Sequence, residues 1–303
     1  MGHGGYSYSS RSERARSEGY GTKSAREIFR ERKINNAMNP NGVDIRESRD
    51  SDEHPNSLAI ILGLDVTGSM GSIPHYLVRT GLPHIMQGII DSGCPDPQLL
   101  FLGIGDHDCD HWDGRKGDDA PLQVGQFESG DEMLDHWLTT VFIEGGGGGN
   151  EGESYHLAWY FAGFHTSIDC FEKRNQKGLL FTIGDEPVLK DLSQNAIRKI
   201  MGNSPQTGYS TPELLDKARE MYEVYHFHLL QGSNGRNPGV QDGWKQLMGD
   251  NLLMIERKED VASEMISIVS QHYSSSSNFP NPQRDTNIVL EINQSNQAED
   301  ILL

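Results

Sequence analysis

Three segments of this 303-residue chain carry oxygen-rich side chains at spacings that could hold a hard cation. The first is Asp65-Val66-Thr67-Gly68-Ser69-Met70-Gly71, directly after an apolar run. Asp65, Thr67 and Ser69 alternate, so in a looped segment their oxygens can converge on one point. One carboxylate with two hydroxyls suits Mg²⁺ or Ca²⁺ and is poor for zinc or copper. The second segment, Gly184-Asp185-Glu186-Pro187, sets another carboxylate after another apolar run. The third is glycine-rich, Gly145 to Gly149, and leads into Asn150, Glu151, Gly152, Glu153 and Ser154. Its glycines let backbone approach a ligand closely, and Asn150 or Glu151 could add an oxygen. A fourth cluster runs from Asp106 through His107, Asp108, Cys109, Asp110 and His111 to Asp113. Its spacing fits neither a zinc finger nor an EF-hand loop, and it reads as a solvated loop beside the main site.

The elements that must position these groups are legible as short apolar runs bounded by turn residues. They fall at Leu58–Leu64, Leu99–Ile104, Leu122–Phe127, Leu179–Ile183, Tyr225–Leu230 and Leu252–Ile255, and read as strands. Helix-length sequence separates most of them, with starts at Ser72, about 153, Thr211 and Asp260. Only the second and third runs lack a helix between them, which predicts an antiparallel pair. The fold class is therefore α/β: a Rossmann-like, doubly wound, mostly parallel six-stranded sheet, helices on both faces, one antiparallel edge strand. In such a sheet ligands bind where winding reverses, at the carboxyl ends of the central strands. That puts Asp65 and Asp185 at matching heights. Met86, Trp137 and Trp159 read as helix core, and His226 and His228 as packing or surface residues.

The α/β domain is expected over 58–273. Residues 1–57 read as a disordered or extended arm. It is basic over 1–35, with eight Lys/Arg against four Asp/Glu, and acidic thereafter. Within it Ser24-Ala-Arg-Glu27 has capping-box spacing and predicts a short helix over 25–37. Residues 274–303 read as a linker and a tail that contains one short apolar piece, Ile288–Ile292.

Composition excludes several classes. The chain has 26 Lys+Arg and 44 Asp+Glu, a formal charge of −18. No apolar run approaches the roughly 20 residues of a membrane span. Three cysteines without a Cys-x-x-Cys pair make no disulfide framework, so a reducing, cytoplasmic compartment is expected. The basic arm is too modest a footprint to imply nucleic acid.

Asp65-x-Thr67-x-Ser69, the glycine-rich loop ending in Asn150, and Asp185 after a hydrophobic strand together resemble the metal-ion-dependent adhesion site of von Willebrand factor type A domains. Gly103-Ile-Gly-Asp106-His107-Asp108 resembles the intracellular branch of that family. The resemblance covers roughly 58–273. It implies a non-enzymatic protein-interaction module that holds Mg²⁺ (or Mn²⁺ or Ca²⁺) through Asp65, Thr67, Ser69, a second-loop group and Asp185. The ion would keep an open position for an acidic residue of a protein partner, such as an AAA+ ATPase or a larger assembly. Asn150 stands where the family usually has Asp or Thr, and Gly152 where it usually has Pro. Glu151, Glu153, Asp106 and Asp108 are the outer candidates.

Two other readings compete. Thr67-Gly-Ser69-Met-Gly71 is one residue short of a nucleophile elbow, and Asp65 half-matches a phosphoaspartate loop, which would make the chain an Asp- or Ser-nucleophile hydrolase. Alternatively the site is vestigial, and the chain is a scaffold subunit of a larger assembly that makes its contacts through the arm and tail.

Overall fold

A computed structural model describes the chain over residues 5–276, apart from 21, 71, 78–81, 109–119, 144–151 and 204. Leu58–Asp65 (β1) is buried at all eight positions, the pattern of a central parallel strand covered on both faces. Pro97–Ile104 (β2) and Leu122–Glu128 (β3) extend the sheet to one side. Gly178–Gly184 (β4), Tyr222–Leu229 (β5) and Leu252–Ile255 (β6) extend it to the other, giving the order β6-β5-β4-β1-β2-β3. All neighbours are parallel except β2 and β3, which pair antiparallel at the edge. This is the doubly wound sheet expected from the sequence. Winding proceeds outward from β1 to β3, then returns to the far side of β1 to begin β4. The reversal lies between β1 and β4.

The longer helices are Tyr8–Ser17 (α1), Leu82–Asp91 (α2), Asp131–Thr140 (α3), Tyr155–Phe164 (α4), Asp169–Arg174 (α5), Gln194–Met201 (α6), Thr211–Arg219 (α7), Pro238–Met248 (α8) and Val261–Ser276 (α9). α4 is apolar on nearly every side, with Tyr155 to Gly163 all buried. That suits its place between the sheet and α7. Met86, Trp137 and Trp159 are core residues as expected, and His226 and His228 are fully buried. No helix among the described residues is long and apolar enough to cross a membrane.

The arm departs from its expectation. α1 packs on α2 and α3, and Tyr20, Ile28, Phe29 and Met38 belong to the core. Arg11, 3% exposed, pairs with Asp135 at 2.9 Å, while the Tyr20 hydroxyl donates to the same carboxylate at 3.0 Å. Arg14 pairs with Asp131 at 2.8 Å. Arg46–Ser48 pairs in parallel with Thr166–Ile168. These anchors join residues more than a hundred positions apart, so local composition does not reveal them. The predicted helix over 25–37 is also shorter. The Glu27 carboxylate accepts from both the amide and the hydroxyl of Ser24 at 2.7 Å, but only Ala25–Ile28 is α-helical and Asn36–Met38 forms a separate 3-10 turn. The Arg32 guanidinium donates to the carbonyls of Phe29 (3.0 Å) and Arg26 (3.4 Å), taking acceptors a longer helix would use.

Candidate metal centre

β1 ends on Asp65, which is fully buried, and the chain turns at once. The turn is held by Asp65 itself. Its Oδ1 accepts from the Thr67 amide at 2.9 Å and from the Thr67 hydroxyl at 2.6 Å. Thr67 Oγ1 lies 3.2 Å from Ser69 Oγ, and Ser69 Oγ donates to Asp185 Oδ1 at 2.8 Å. Asp185 follows β4 and is also fully buried. The four side chains singled out on β1 and β4 therefore form one continuous chain of oxygens across the point where winding reverses. Asp65, Thr67 and Asp185 are buried, whereas Gly68 is exposed and Ser69 half-buried. The cluster opens to solvent on the Ser69 side.

Two carboxylates meet here without a basic partner. Among the described residues neither Asp65 nor Asp185 pairs with Lys or Arg; their contacts are hydroxyls and amides. Burial pushes the Asp65 carboxyl up to about 7 and the Asp185 charge adds to the rise, against the hydrogen bonds from Thr67 and Tyr155. Burying two carboxylates together is costly unless a proton or a cation lies between them. The donor set of carboxylates and hydroxyls is one a hard divalent ion accepts.

Residues the sequence did not single out complete the site. Tyr155, at the start of α4, donates its phenol proton to Asp65 Oδ2 at 2.7 Å. Burial, then the Asp65 charge, raises the phenol far above its ordinary range, so it remains a donor. Behind it His226 stacks on Trp244 at 3.5 Å, with Tyr155 edge-on to both rings. Burial holds His226 neutral. Gly184 is required there, because a Cβ at that position would run into the Tyr155 hydroxyl. The loop after β5 supplies the other wall. Asn234 donates its amide to Asp185 Oδ2 at 3.0 Å and its side-chain nitrogen to Glu186 Oε1 at 2.6 Å. Gly232 lies so close that a Cβ would collide with the Asp185 carboxyl. The turn-rich run Gln231-Gly-Ser-Asn-Gly235 after a strand was the available signal for this loop.

The outer candidates are distributed differently. Asn150 and Glu151 lie outside the described residues, so the second-loop ligand is not defined. Glu153 is buried, and its backbone bridges to Pro187 and Leu189 at 2.8 and 3.1 Å, tying the start of α4 to the Asp185 loop. Asp106 is only 2% exposed and accepts from the Asp108 amide at 2.8 Å. His107 is likewise buried, against Ser154, with both its amide and Nδ1 within 2.9 Å of the Ser154 hydroxyl. Asp106 and His107 are thus packed at the start of α4, whereas Asp108 is exposed; residues 109–119 lie outside the described residues. Among the described residues no group of three or more His, Cys, Asp or Glu side chains is arranged to hold a metal. Two of the four side chains in the β1–β4 cluster, Thr67 and Ser69, contribute hydroxyls.

Fold and cluster together define a doubly wound α/β domain with an oxygen-rich side-chain cluster at its switch point. No family model matches the chain, and no curated protein matches it. Similar solved structures include the open-conformation pilus adhesin SpaC of Lactobacillus rhamnosus GG (11% identity, 78% of this chain and 31% of that one, TM-score 0.47). The SpRpn10 VWA domain is similar at 10% identity over 68% of this chain and 94% of that one, with TM-score 0.42. BatB of Bacteroides thetaiotaomicron is similar at 12% identity over 73% and 99%, also with TM-score 0.42. The chain spans about a third of the adhesin's length. These are likenesses of shape at low identity, and nothing about activity follows from them.

Proposed function

We propose that this chain is a von Willebrand A-like interaction module that captures an acidic residue of a protein partner through a divalent cation. The observation that carries the reading is the continuous Asp65–Thr67–Ser69–Asp185 oxygen chain across the switch point. Those four side chains would hold the ion. A hydroxyl that donates to a carboxylate keeps lone pairs for a cation, so Thr67 and Ser69 can do both at once. The bound ion supplies a positive centre with a position left for the partner's carboxylate. Tyr155 and Asn234 fix the outward oxygens of the two aspartates, so neither carboxylate has to rotate to bind. Exposure on the Ser69 side gives the partner its approach.

The same geometry weighs against a hydrolase. Ser69 donates to a carboxylate and contacts Thr67, and no imidazole is among its partners in the described residues. Both oxygens of Asp65 are engaged and buried. A cytoplasmic setting is part of the reading, supported by the free, buried thiols of Cys94 and Cys170.

Calorimetric titration of chelator-treated protein with Mg²⁺ and Mn²⁺ tests the ion, with Asp65→Ala as control. Binding heats are expected for the wild type and none for the variant; equal heats in both overturn the proposal. Affinity purification with and without chelator tests the partner, whether an AAA+ ATPase or a subunit of a larger assembly. It should be retained only when the cation is present.

A further inference from the structure

The loop after β5 and the turn between β6 and α9 meet beside the opening at Ser69. The Lys258 amide donates to Gln231 Oε1 at 2.9 Å. Two residues beyond Gln231, the Ser233 hydroxyl lies 3.5 Å from the Ser69 carbonyl oxygen. The Lys258 side chain then reaches the segment after β1. Its Nζ donates to Ser72 Oγ at 3.0 Å and lies 5.4 Å from the centre of the Tyr76 ring. Ser72 is three residues past Ser69, so their Cα atoms are at most ~11 Å apart even in a fully extended chain. Gly68, Ser72 and Ser233 are exposed, and Ser69 and Lys258 are half-buried. Hydroxyls and an ammonium therefore share one open rim beside the Asp65–Asp185 cluster.

Three basic side chains sit on these two connections, Arg236, Arg257 and Lys258. Arg236 pairs with Glu256 at 2.7 Å and Arg257 with Asp260 at 2.6 Å. Lys258 differs: among the described residues it pairs with no carboxylate, and its side-chain partners are a hydroxyl and an aromatic ring. Its charge is seated but not neutralised, and Ser72 takes only one of its three N–H donors. The seat also removes side-chain freedom that binding would otherwise cost. The chain as a whole carries −18, which opposes an acidic partner. Screening confines that repulsion to about 8 Å, and at closer range the rim charge is what an incoming carboxylate meets.

We infer that Lys258 is a second anchor for the captured segment, which therefore carries two acidic residues spaced i and i+2, one for the cation and one for the ammonium. The inference rests on the cation reading above and names the chemistry of the partner. Residues i and i+2 of an extended segment point to the same side, about 7 Å apart. Two flexible Glu side chains at that spacing reach both the cation position and the Lys258 end of the rim. A segment with a single acid would fill the cation's open position and leave Lys258 on Ser72. Lys258 thus sets which acidic segments are preferred, while the ion sets that an acid is needed.

Fluorescence anisotropy on the full chain tests it with two labelled peptides, Gly-Gly-Glu-Gly-Glu-Gly-Gly and its one-acid counterpart Gly-Gly-Glu-Gly-Gln-Gly-Gly, each with Mg²⁺ and with chelator. In Mg²⁺ the wild type should bind the two-acid peptide about three- to fivefold more tightly, the upper range for an exposed ion pair. High salt should shrink that ratio. Lys258→Arg should keep the preference, Lys258→Gln should bind the two peptides alike, and Lys258→Glu should favour the one-acid peptide. The ratio within each variant is the readout, so a general loss of folded protein does not mimic the effect. Mg²⁺-dependent binding of both peptides with no preference in the wild type, or with the preference retained in Lys258→Gln, overturns the anchor and leaves the cation reading standing. If neither peptide binds in a Mg²⁺-dependent way, the cation reading falls and the anchor falls with it.

Discussion

Tyr155 and Asp65 share a 2.7 Å hydrogen bond between the first turn of a buried helix and the last residue of the central strand. Around it the aspartate has little freedom: Thr67 holds one carboxylate oxygen and Tyr155 the other. The carboxylate is therefore oriented before any ligand arrives, and preorganisation of this kind lowers the cost of binding.

Replacing that phenol with an apolar ring should be felt at the cation. Tyr155→Phe keeps the edge-on ring contact with Trp244 and removes the donor, which otherwise lowers the Asp65 pKa. Mg²⁺ affinity should fall by about ten- to hundredfold, the usual effect of losing a group that orients a ligand. The pH at which Mg²⁺ binding is half-maximal should move upward. Titrations between pH 5 and pH 9, numbers chosen to span roughly two units either side of the raised carboxyl, check both; an unchanged affinity would show that the bond is dispensable.

The raised Asp65 carboxyl also fixes a sign for stability against pH. Its folded pKa, about 7, lies above the unfolded reference of 3.8. Its contribution is thus fully present below the unfolded value and is lost as pH rises through the folded one. Chelator-treated protein should melt at lower temperature at about pH 8 than at about pH 5. Mg²⁺ should raise the melting temperature more at pH 8, where it meets an ionised carboxylate. In Asp65→Asn the group no longer titrates. Differential scanning calorimetry should then show the pH dependence reduced and the Mg²⁺ response gone.

Two glycines provide a matched pair. Gly232→Ala brings a Cβ into the Asp185 carboxyl, whereas Gly243 on α8 has nothing within 4 Å. The first should displace Asp185 and abolish the calorimetric Mg²⁺ signal. The second should leave that signal intact and stabilise the protein by about 0.5–1 kcal/mol, as expected for removing a helical glycine. Equal effects on Mg²⁺ binding would mean the loop after β5 does not form the wall described above.

Arg11→Met tests whether the arm is structurally part of the domain. The substitution removes the guanidinium 2.9 Å from the buried Asp135 carboxylate and leaves it the Tyr20 hydrogen bond and the weaker pull of Arg14. A loss of about 3–5 kcal/mol is expected for breaking a buried pair from one side, read by urea denaturation. Limited proteolysis within residues 5–34 should accelerate in parallel. A surface tail would show neither change.

The strand segments and the carboxylates that follow the first and fourth of them were legible in the sequence, because continuous burial leaves runs such as Leu58–Leu64 no polar position and turn residues mark where they stop; the order of the strands in the sheet was not. The pairing of the second and third runs followed from the absence of a helix between them. Other features were not legible. The arm is anchored by Arg11 and Arg14, whose partners Asp135 and Asp131 lie on α3 more than a hundred residues away; a charge in sequence does not say whether it will be solvated or paired. Nothing in the sequence around Tyr155 sets it apart from the other aromatic residues of its apolar helix. Its role depends on Gly184 opening space beside β4 and on the helix beginning opposite Asp65. Periodicity and turn chemistry are local properties and are written in the chain. Which donor meets which buried oxygen is set by how distant segments close on one another, and the tertiary structure alone decided it.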